Sequence, residues 1–81
     1  MSVRLQDYIK EHGYKKNEQG FKFIPPDEAK GKDVDIILTG RLIDNPYGYE
    51  VHHNQDPLEW DWQMQTGVYI EAWRISNELS R

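Results

Sequence analysis

The sequence predicts an α+β, mostly β domain, in which an N-terminal helix covers a strongly curved antiparallel sheet or a small SH3-like or OB-like barrel of four to five strands. Three observations lead to this prediction. A helical stripe of apolar residues lies near the start, apolar and polar residues alternate in several later runs, and turn signals separate those runs. With only 81 residues, the chain is short enough to form one core. We therefore expect residues 1–81 to be a single compact domain.

The predicted helix spans residues 3–12. Ser2 is a suitable N-cap residue. The apolar stripe that follows at helical spacing consists of Leu5, Tyr8 and Ile9. Gly13 then supplies the left-handed conformation in which many helices end. We expect the stripe to cover the core, and His12 to lie at the helix C-terminus, where the helix dipole favours a cation.

A first short strand is predicted at residues 21–24, where the sequence Phe-Lys-Phe-Ile follows a turn signal at residues 17–20. Pro25 and Pro26 end this strand, because proline has no N–H to donate to a sheet. The polar residues 25–32 are predicted to form a loop.

A hairpin is predicted in the middle of the chain. Residues 34–43 alternate over a long strand, with Gly40 on its apolar side. A glycine at such a position indicates a bend or the close approach of another backbone. The turn signal at residues 44–48 and the alternation over residues 49–53 then predict the second strand of the hairpin.

The last third carries all three tryptophans and allows two interpretations. Residues 57–66 open like a helix, with Asp56 as the N-cap and proline at the first helical position. Their large apolar side chains share one face only in a strand. These side chains are Trp60, Trp62 and Met64. Residues 68–75 have a similar helical alternative, although their β-branched and aromatic content favours a strand. That strand is expected to fray into a polar tail, or to end in a helical turn, at residues 76–81. We predict two strands, with helices as the alternative.

The loop between these two strands decides which tryptophans are buried. A two-residue loop would place all three rings on one face, but it requires positive φ at Thr66, which a β-branched residue resists. A three-residue loop at residues 65–67 needs the left-handed conformation only at its glycine. That register places Trp60 and Trp62 in the core and leaves Trp73 as the one exposed ring.

The outer face of this predicted hairpin is the candidate binding site. Residues 42–81 carry two Lys or Arg against seven Asp or Glu, within a net charge of −4 for the chain. Aromatic rings beside carboxylates suit a Lys- or Arg-bearing partner, since each cation–π contact is worth roughly 0.5–2 kcal/mol. The predicted partner-binding residues are Glu59, Asp61, Tyr69, Glu71 and Trp73. We expect a protein partner with a basic surface.

The predicted function is that of a small acidic, non-catalytic interaction module, acting as a regulator or inhibitor, including one encoded by a phage. DNA mimicry by spaced carboxylates is one form that such inhibition takes. The sequence has no catalytic, metal-binding or nucleotide-binding signature, so no catalytic residue, metal ligand or cofactor is assigned. The lack of cysteine and of any long apolar run predicts a cytoplasmic protein without a membrane span. An exposed edge strand is compatible with a homodimer.

A nucleic-acid-binding small barrel is the alternative function. Its base-stacking rings would be Phe21 and Tyr14. The N-terminal lysines that would contact phosphates are Lys10, Lys15, Lys16, Lys22, Lys30 and Lys32. The net negative charge opposes this alternative, because phosphate binding draws its affinity from Lys and Arg.

Two other polar pairs are given structural interpretations. His52 and His53 are neighbours in a predicted strand, so they point to opposite faces and are poorly placed to chelate one metal ion. Asp33 and Asp35 lie on one strand face, where they are interpreted as solvated charge at a sheet edge.

Overall fold

The described part of the chain contains four antiparallel strands, one short α-helix and two 3-10 helices, at Asp27–Ala29 and Pro57–Glu59. The computed structural model describes residues 4–44, 46–64 and 67–76. The helix α1 spans Leu5–Glu11, and the strands are β1 at Lys15–Lys16, β2 at Val34–Gly40, β3 at Tyr49–Gln55 and β4 at Val68–Ile75. The strand order is β1-β4-β2-β3, and every neighbouring pair is antiparallel. The predicted N-terminal helix and antiparallel sheet are confirmed.

The sheet is open in the part of the chain that is described, with β1 at one edge and β3 at the other. The barrel, SH3-like or OB-like, is therefore not confirmed. β2 and β3 form the hairpin that the turn signal at residues 44–48 predicts. β1 is an addition to the predicted strands, and it pairs with β4 through Lys15 opposite Trp73 and Lys16 opposite Ala72.

Helix α1 covers one face of the sheet. As predicted, its inward stripe consists of Leu5, Tyr8 and Ile9. The stripe packs in a cluster with Ile37 of β2 and Ala72 of β4. Position 3 and the proposed cap Ser2 lie outside the described residues, and the helix begins at Leu5. Gly13 has a positive φ of 71° just after the helix, which confirms its predicted left-handed conformation.

The opposite face of the sheet is covered by Trp62. Its side chain is fully buried, and its indole Nε1 donates a hydrogen bond of 2.8 Å to the carbonyl of Pro57. The ring meets that of Trp73 edge to face, with 6.1 Å between the centroids. The buried residues of this cluster are Ala29, Val34, Ile36, Leu38, Trp62, Ile70 and Trp73. The burial of Trp62 confirms its predicted place in the core.

A bulge in β4 reverses the predicted orientation of Trp73. Ile37 lies opposite Ala72 and Leu38 lies opposite Ile70, so Glu71 is an extra residue in β4. An extra residue shifts the alternation by one position. Trp73 therefore joins Ile70 on the face covered by Trp62, and only 3% of its surface is exposed. The prediction that Trp73 is the exposed ring is wrong.

Two of the predicted strands do not form. Residues 57–59 make a short 3-10 helix, opened by Asp56, whose carboxylate accepts from the Leu58 N–H at 3.0 Å. Residues 60–64 have no strand assignment, and neither do residues 21–24. β4 pairs with β2 on one side and β1 on the other, so the predicted hairpin partner has no place beside it. Residues 65 and 66 of the proposed loop and residues 77–81 of the proposed tail lie outside the described residues.

The close approach of another backbone that is predicted at Gly40 is confirmed. The variant Gly40→Ala is therefore expected to lower the free energy of unfolding by about 3 kcal/mol. Gly40 has a φ of 130°, and an added methyl carbon would lie 2.9 Å from the Gly67 carbonyl carbon. Chemical denaturation measures the loss. Gly48→Ala is the control, because φ is also positive there but an added methyl meets no atom within 4 Å. Equal losses in the two variants would contradict a close contact at Gly40.

Candidate interaction groove

An open groove lies between two segments outside the sheet, residues 23–25 and residues 58–63. Its volume is about 610 Å³, which is within the range of sites that bind small molecules or single side chains of a partner. The residues that line it are Phe23, Ile24, Pro25, Leu58, Glu59, Trp60, Asp61 and Gln63. The groove thus combines an apolar wall with two carboxylates and one indole ring.

The two walls are held together by hydrogen bonds rather than by a sheet. The backbone N–H of Trp62 donates to the Phe23 carbonyl at 3.1 Å. Asn17 is buried, and its amide nitrogen donates to the carbonyls of Trp62 and Ile70, each at 2.9 Å. The amide of Gln19 donates to the Ile24 carbonyl at 2.9 Å. These bonds connect the two segments of the groove to each other and to β4, and they satisfy backbone carbonyls of both segments, which lie outside the strands.

Three of the apolar side chains that line the groove are exposed. Phe23 has 68% of its surface exposed and Leu58 has 67%, and Ile24 is also exposed. Burying one such side chain against a partner would contribute roughly 1.5–3 kcal/mol. Contiguous exposed apolar side chains with polar neighbours are typical of interaction surfaces. The wall formed by these three residues is therefore the strongest indication of binding in the described structure.

Carboxylates give the groove a negative charge. Glu59 and Asp61 both line it and are exposed, and none of the described lining residues is Lys or Arg. The Asp61 carboxylate accepts from the Gln63 N–H at 2.9 Å, which fixes the local turn. Two acids beside an apolar wall favour a partner that carries a cation next to an apolar group.

Trp60 lines the groove and also contacts the core. It is half-buried and packs against the core cluster of Trp62. The His52 ring lies behind it, with 5.5 Å between the ring centroids, and His52 Nε2 lies 3.3 Å from a Glu50 oxygen. The other two tryptophans are buried. Trp60 is thus the ring that a ligand in the groove can reach. Its predicted place in the core is observed only in part, because the ring packs against the core cluster but is half-buried.

The fold separates the five predicted partner-binding residues into two groups. Glu59 and Asp61 both line the groove, whereas Tyr69, Glu71 and Trp73 lie in β4 and do not line it. Burial raises the pKa of Tyr69 above its ordinary value of 10.0, and the Glu71 carboxylate raises it further. Because Asp61 is not opposite Glu71 in a hairpin, the acidic strand face that the sequence predicts is not assembled.

Two lysines of the alternative function form ion pairs, and one of them also contacts the Trp73 ring. Lys15 Nζ lies 5.4 Å above the Trp73 ring and pairs with Glu28 at 2.7 Å. Lys30 pairs with Asp27 at 3.0 Å. These ion pairs partly neutralise two of the lysines that would contact phosphates.

Tyr14 is not available for base stacking. Its ring is buried beneath the Arg74 guanidinium, which lies 4.5 Å from the ring centroid. Burial raises the pKa of Tyr14 to about 12, although the charge of Arg74 acts in the opposite direction. Phe21, in contrast, is largely exposed, so only one of the two rings of the alternative function is accessible.

The described residues provide neither a metal-binding cluster of three or more side chains nor a helix that could span a membrane. His52 and His53 point to opposite faces, as predicted, since His52 contacts Trp60 while His53 Nδ1 lies 3.3 Å from the Asp35 carboxylate. Residues 4–44, 46–64 and 67–76 contain no group of three or more His, Asp or Glu side chains that could hold a metal ion. No helix within these ranges has the length and apolar character needed to cross a bilayer.

The apolar part of the groove is not predicted from the sequence. Phe23 and Ile24 are expected to lie in a strand, and Leu58 has no predicted role at the surface. The available signal is Pro25-Pro26, which prevents the preceding run from continuing into a sheet. Comparison with known proteins adds no relative from which a site could be transferred. The chain matches no protein-family model, no curated protein and no solved structure.

Proposed function

We propose that this chain is a non-catalytic interaction module that binds a protein partner in the groove. The partner segment carries an apolar side chain next to a basic one. The observation that supports this proposal is the exposed apolar wall of Phe23, Ile24 and Leu58 beside the carboxylates of Glu59 and Asp61. The apolar group would contact the wall, and the basic group would lie near the two acids.

The balance of energies favours a weak and selective contact. Burial of apolar surface contributes about 25 cal/mol per Å², and association must offset several kcal/mol of lost freedom. A groove of about 610 Å³ accepts only a few side chains of the partner. The acids contribute mainly to selectivity and to the association rate, because exposed charges are screened by solvent.

The biological role that we propose is that of a cytoplasmic regulator or inhibitor, including a phage-encoded one. An 81-residue acidic chain without cysteine suits a reducing compartment. Its function would then depend on occupying a basic surface of the partner. Because the groove is small, we expect a segment of the partner, rather than a broad flat face, to provide most of the binding energy.

A random-peptide display library panned against the protein tests this proposal. We expect enrichment of peptides that combine an apolar and a basic residue, and Leu58→Ser should reduce their binding about tenfold through loss of the apolar contact. Leu42→Ser is the matched control, because Leu42 is similarly exposed but does not line the groove. Failure to enrich any peptide, or equal loss with both variants, would contradict the groove as the binding site.

Oligonucleotide binding provides the comparison with the alternative function. We expect no measurable affinity for single- or double-stranded oligonucleotides at physiological salt, given the net charge of −4. Binding that weakens steeply with salt and is lost in Phe21→Ala would favour the nucleic-acid alternative instead.

A further inference from the structure

The lining of the groove bears on which basic residue, arginine or lysine, a partner would present there. This inference rests on the proposed function and adds the identity of the cation. Glu59 and Asp61 are two residues apart and both line the groove, and the half-buried Trp60 lies between them in sequence. A bound cation would therefore be surrounded by carboxylates, an indole ring and an apolar wall.

We propose that the groove selects arginine over lysine in the partner segment. The guanidinium group is planar and weakly hydrated, so it can contact an aromatic face and still donate to carboxylates at its edge. The lysine ammonium is compact and strongly hydrated, and an apolar wall offers few replacements for its lost water. Arginine is thus the cation that loses less by entering the groove.

Within this chain, one arginine and one lysine each contact an aromatic ring and a carboxylate, and the two sites differ in burial. Arg74 lies 4.5 Å from the centroid of the Tyr14 ring while its Nε donates to the Asp35 carboxylate at 3.0 Å. Lys15 contacts a ring and a carboxylate as well, but its ion pair with Glu28 is at the exposed surface. The partly desolvated site is the one occupied by arginine.

Like the site of Arg74, the groove combines an aromatic ring with carboxylate oxygens. Trp60 is half-buried, and the exposed side chains of Phe23 and Leu58 offer apolar surface to a ligand between them. The Glu59 and Asp61 carboxylates present acceptor oxygens, one of which already accepts from the Gln63 N–H, and the guanidinium presents five N–H donors. We expect the aliphatic or aromatic neighbour of the arginine to contact the wall.

Three matched peptide display libraries test this proposal. Each is random, but the first allows only arginine as its basic residue, the second only lysine, and the third no basic residue. We expect the wild-type protein to enrich peptides from the arginine library, and replacing the arginine of an enriched peptide by lysine should weaken its binding roughly fivefold. The double variant Glu59→Gln, Asp61→Asn should remove this difference. The variant Asp7→Asn, Glu11→Gln, with both changes in exposed α1 positions, is the charge-matched control and should retain it.

Each other outcome has a defined meaning. Equal enrichment from the arginine and lysine libraries would overturn the selection of arginine but leave the groove as a site for basic segments. Enrichment from the library without basic residues would overturn the role of the cation altogether. Enrichment from none of the three libraries would overturn the proposed function together with this inference. Persistence of the arginine preference in the double variant would assign it to other residues.

Discussion

Replacement of Trp62 by alanine is expected to lower the free energy of unfolding by about 4 kcal/mol. Trp62 is fully buried beneath the sheet and contacts the ring of Trp73. Its loss removes a large apolar surface, leaves a cavity and breaks the hydrogen bond from Nε1 to the Pro57 carbonyl. Since a domain of this size is stable by only about 5–10 kcal/mol, the variant should be close to unfolding at physiological temperature.

Chemical denaturation followed by circular dichroism measures this loss. Trp60→Ala is the matched control, because the ring is of the same type but half-buried. We expect the control to lose about 1.5 kcal/mol. A loss in Trp62→Ala no larger than that of the control would show that Trp62 does not fill the core.

Replacement of Asp35 by alanine is expected to cost about 3 kcal/mol. Asp35 is buried in the inner strand β2, and one oxygen accepts from the Asn54 N–H at 3.0 Å and from Ser76 Oγ at 2.8 Å. The other oxygen accepts from Arg74 Nε at 3.0 Å, with His53 Nδ1 at 3.3 Å. Removal of the carboxylate leaves these donors without their acceptor. The interpretation of Asp35 as solvated edge charge is therefore wrong.

Asp35 also gives stability a defined dependence on pH. Burial is the largest single influence and raises its pKa, but the hydrogen bonds to the carboxylate together outweigh burial and hold the pKa below its ordinary value of 3.8. A depressed pKa in the folded state means that the unfolded chain binds the proton first. The stabilisation is present above the unfolded pKa and is lost as the pH falls through the folded pKa.

Denaturation of the wild type, Asp35→Ala, Asp35→Asn and the control Asp33→Ala at neutral pH and below about pH 3 tests both claims. The stability difference between the wild type and Asp35→Asn should shrink in acid. Asp33 is exposed, so its replacement should change stability by no more than about 0.5 kcal/mol at either pH. A difference between the wild type and Asp35→Asn that does not change with pH would contradict an ionised Asp35 in the folded state.

The parts of the fold that depend on local signals can be predicted. The stripe of α1, the positive φ of Gly13 and the β2–β3 hairpin follow from spacing, from one glycine and from a clear turn signal. Gly40 can also be interpreted, because a glycine on the apolar face of a strand indicates a bend or a close backbone contact. These features are encoded within short stretches of sequence.

The errors arise where distant segments decide the outcome. The bulge at Glu71 places Trp73 inside, and no local feature distinguishes this sequence from a regular strand. The alternation of Trp60 and Trp62 is typical of a strand, yet β2 and β1 already occupy both sides of β4. The burial of Asp35 is missed because its partner Arg74 is 39 positions away.

The groove can be predicted only in part for the same reason. The charge and position of Glu59 and Asp61 are enough to indicate exposed acids. The apolar wall requires Phe23 to lie beside Leu58, and the bond from the Trp62 N–H to the Phe23 carbonyl joins segments far apart in sequence. Irregular segments have no periodicity from which such a contact can be inferred.

Quenching of tryptophan emission by caesium and by iodide tests the central claim, which is that Trp60 is the accessible ring of an acidic binding groove. We expect one quenchable component, stronger quenching by caesium than by iodide, and loss of that component in Trp60→Phe. The exposed carboxylates of Glu59 and Asp61 should attract the cation, and a peptide enriched from the arginine library should protect the ring. A quenchable component that persists in Trp60→Phe, or stronger quenching by iodide, would contradict the claim.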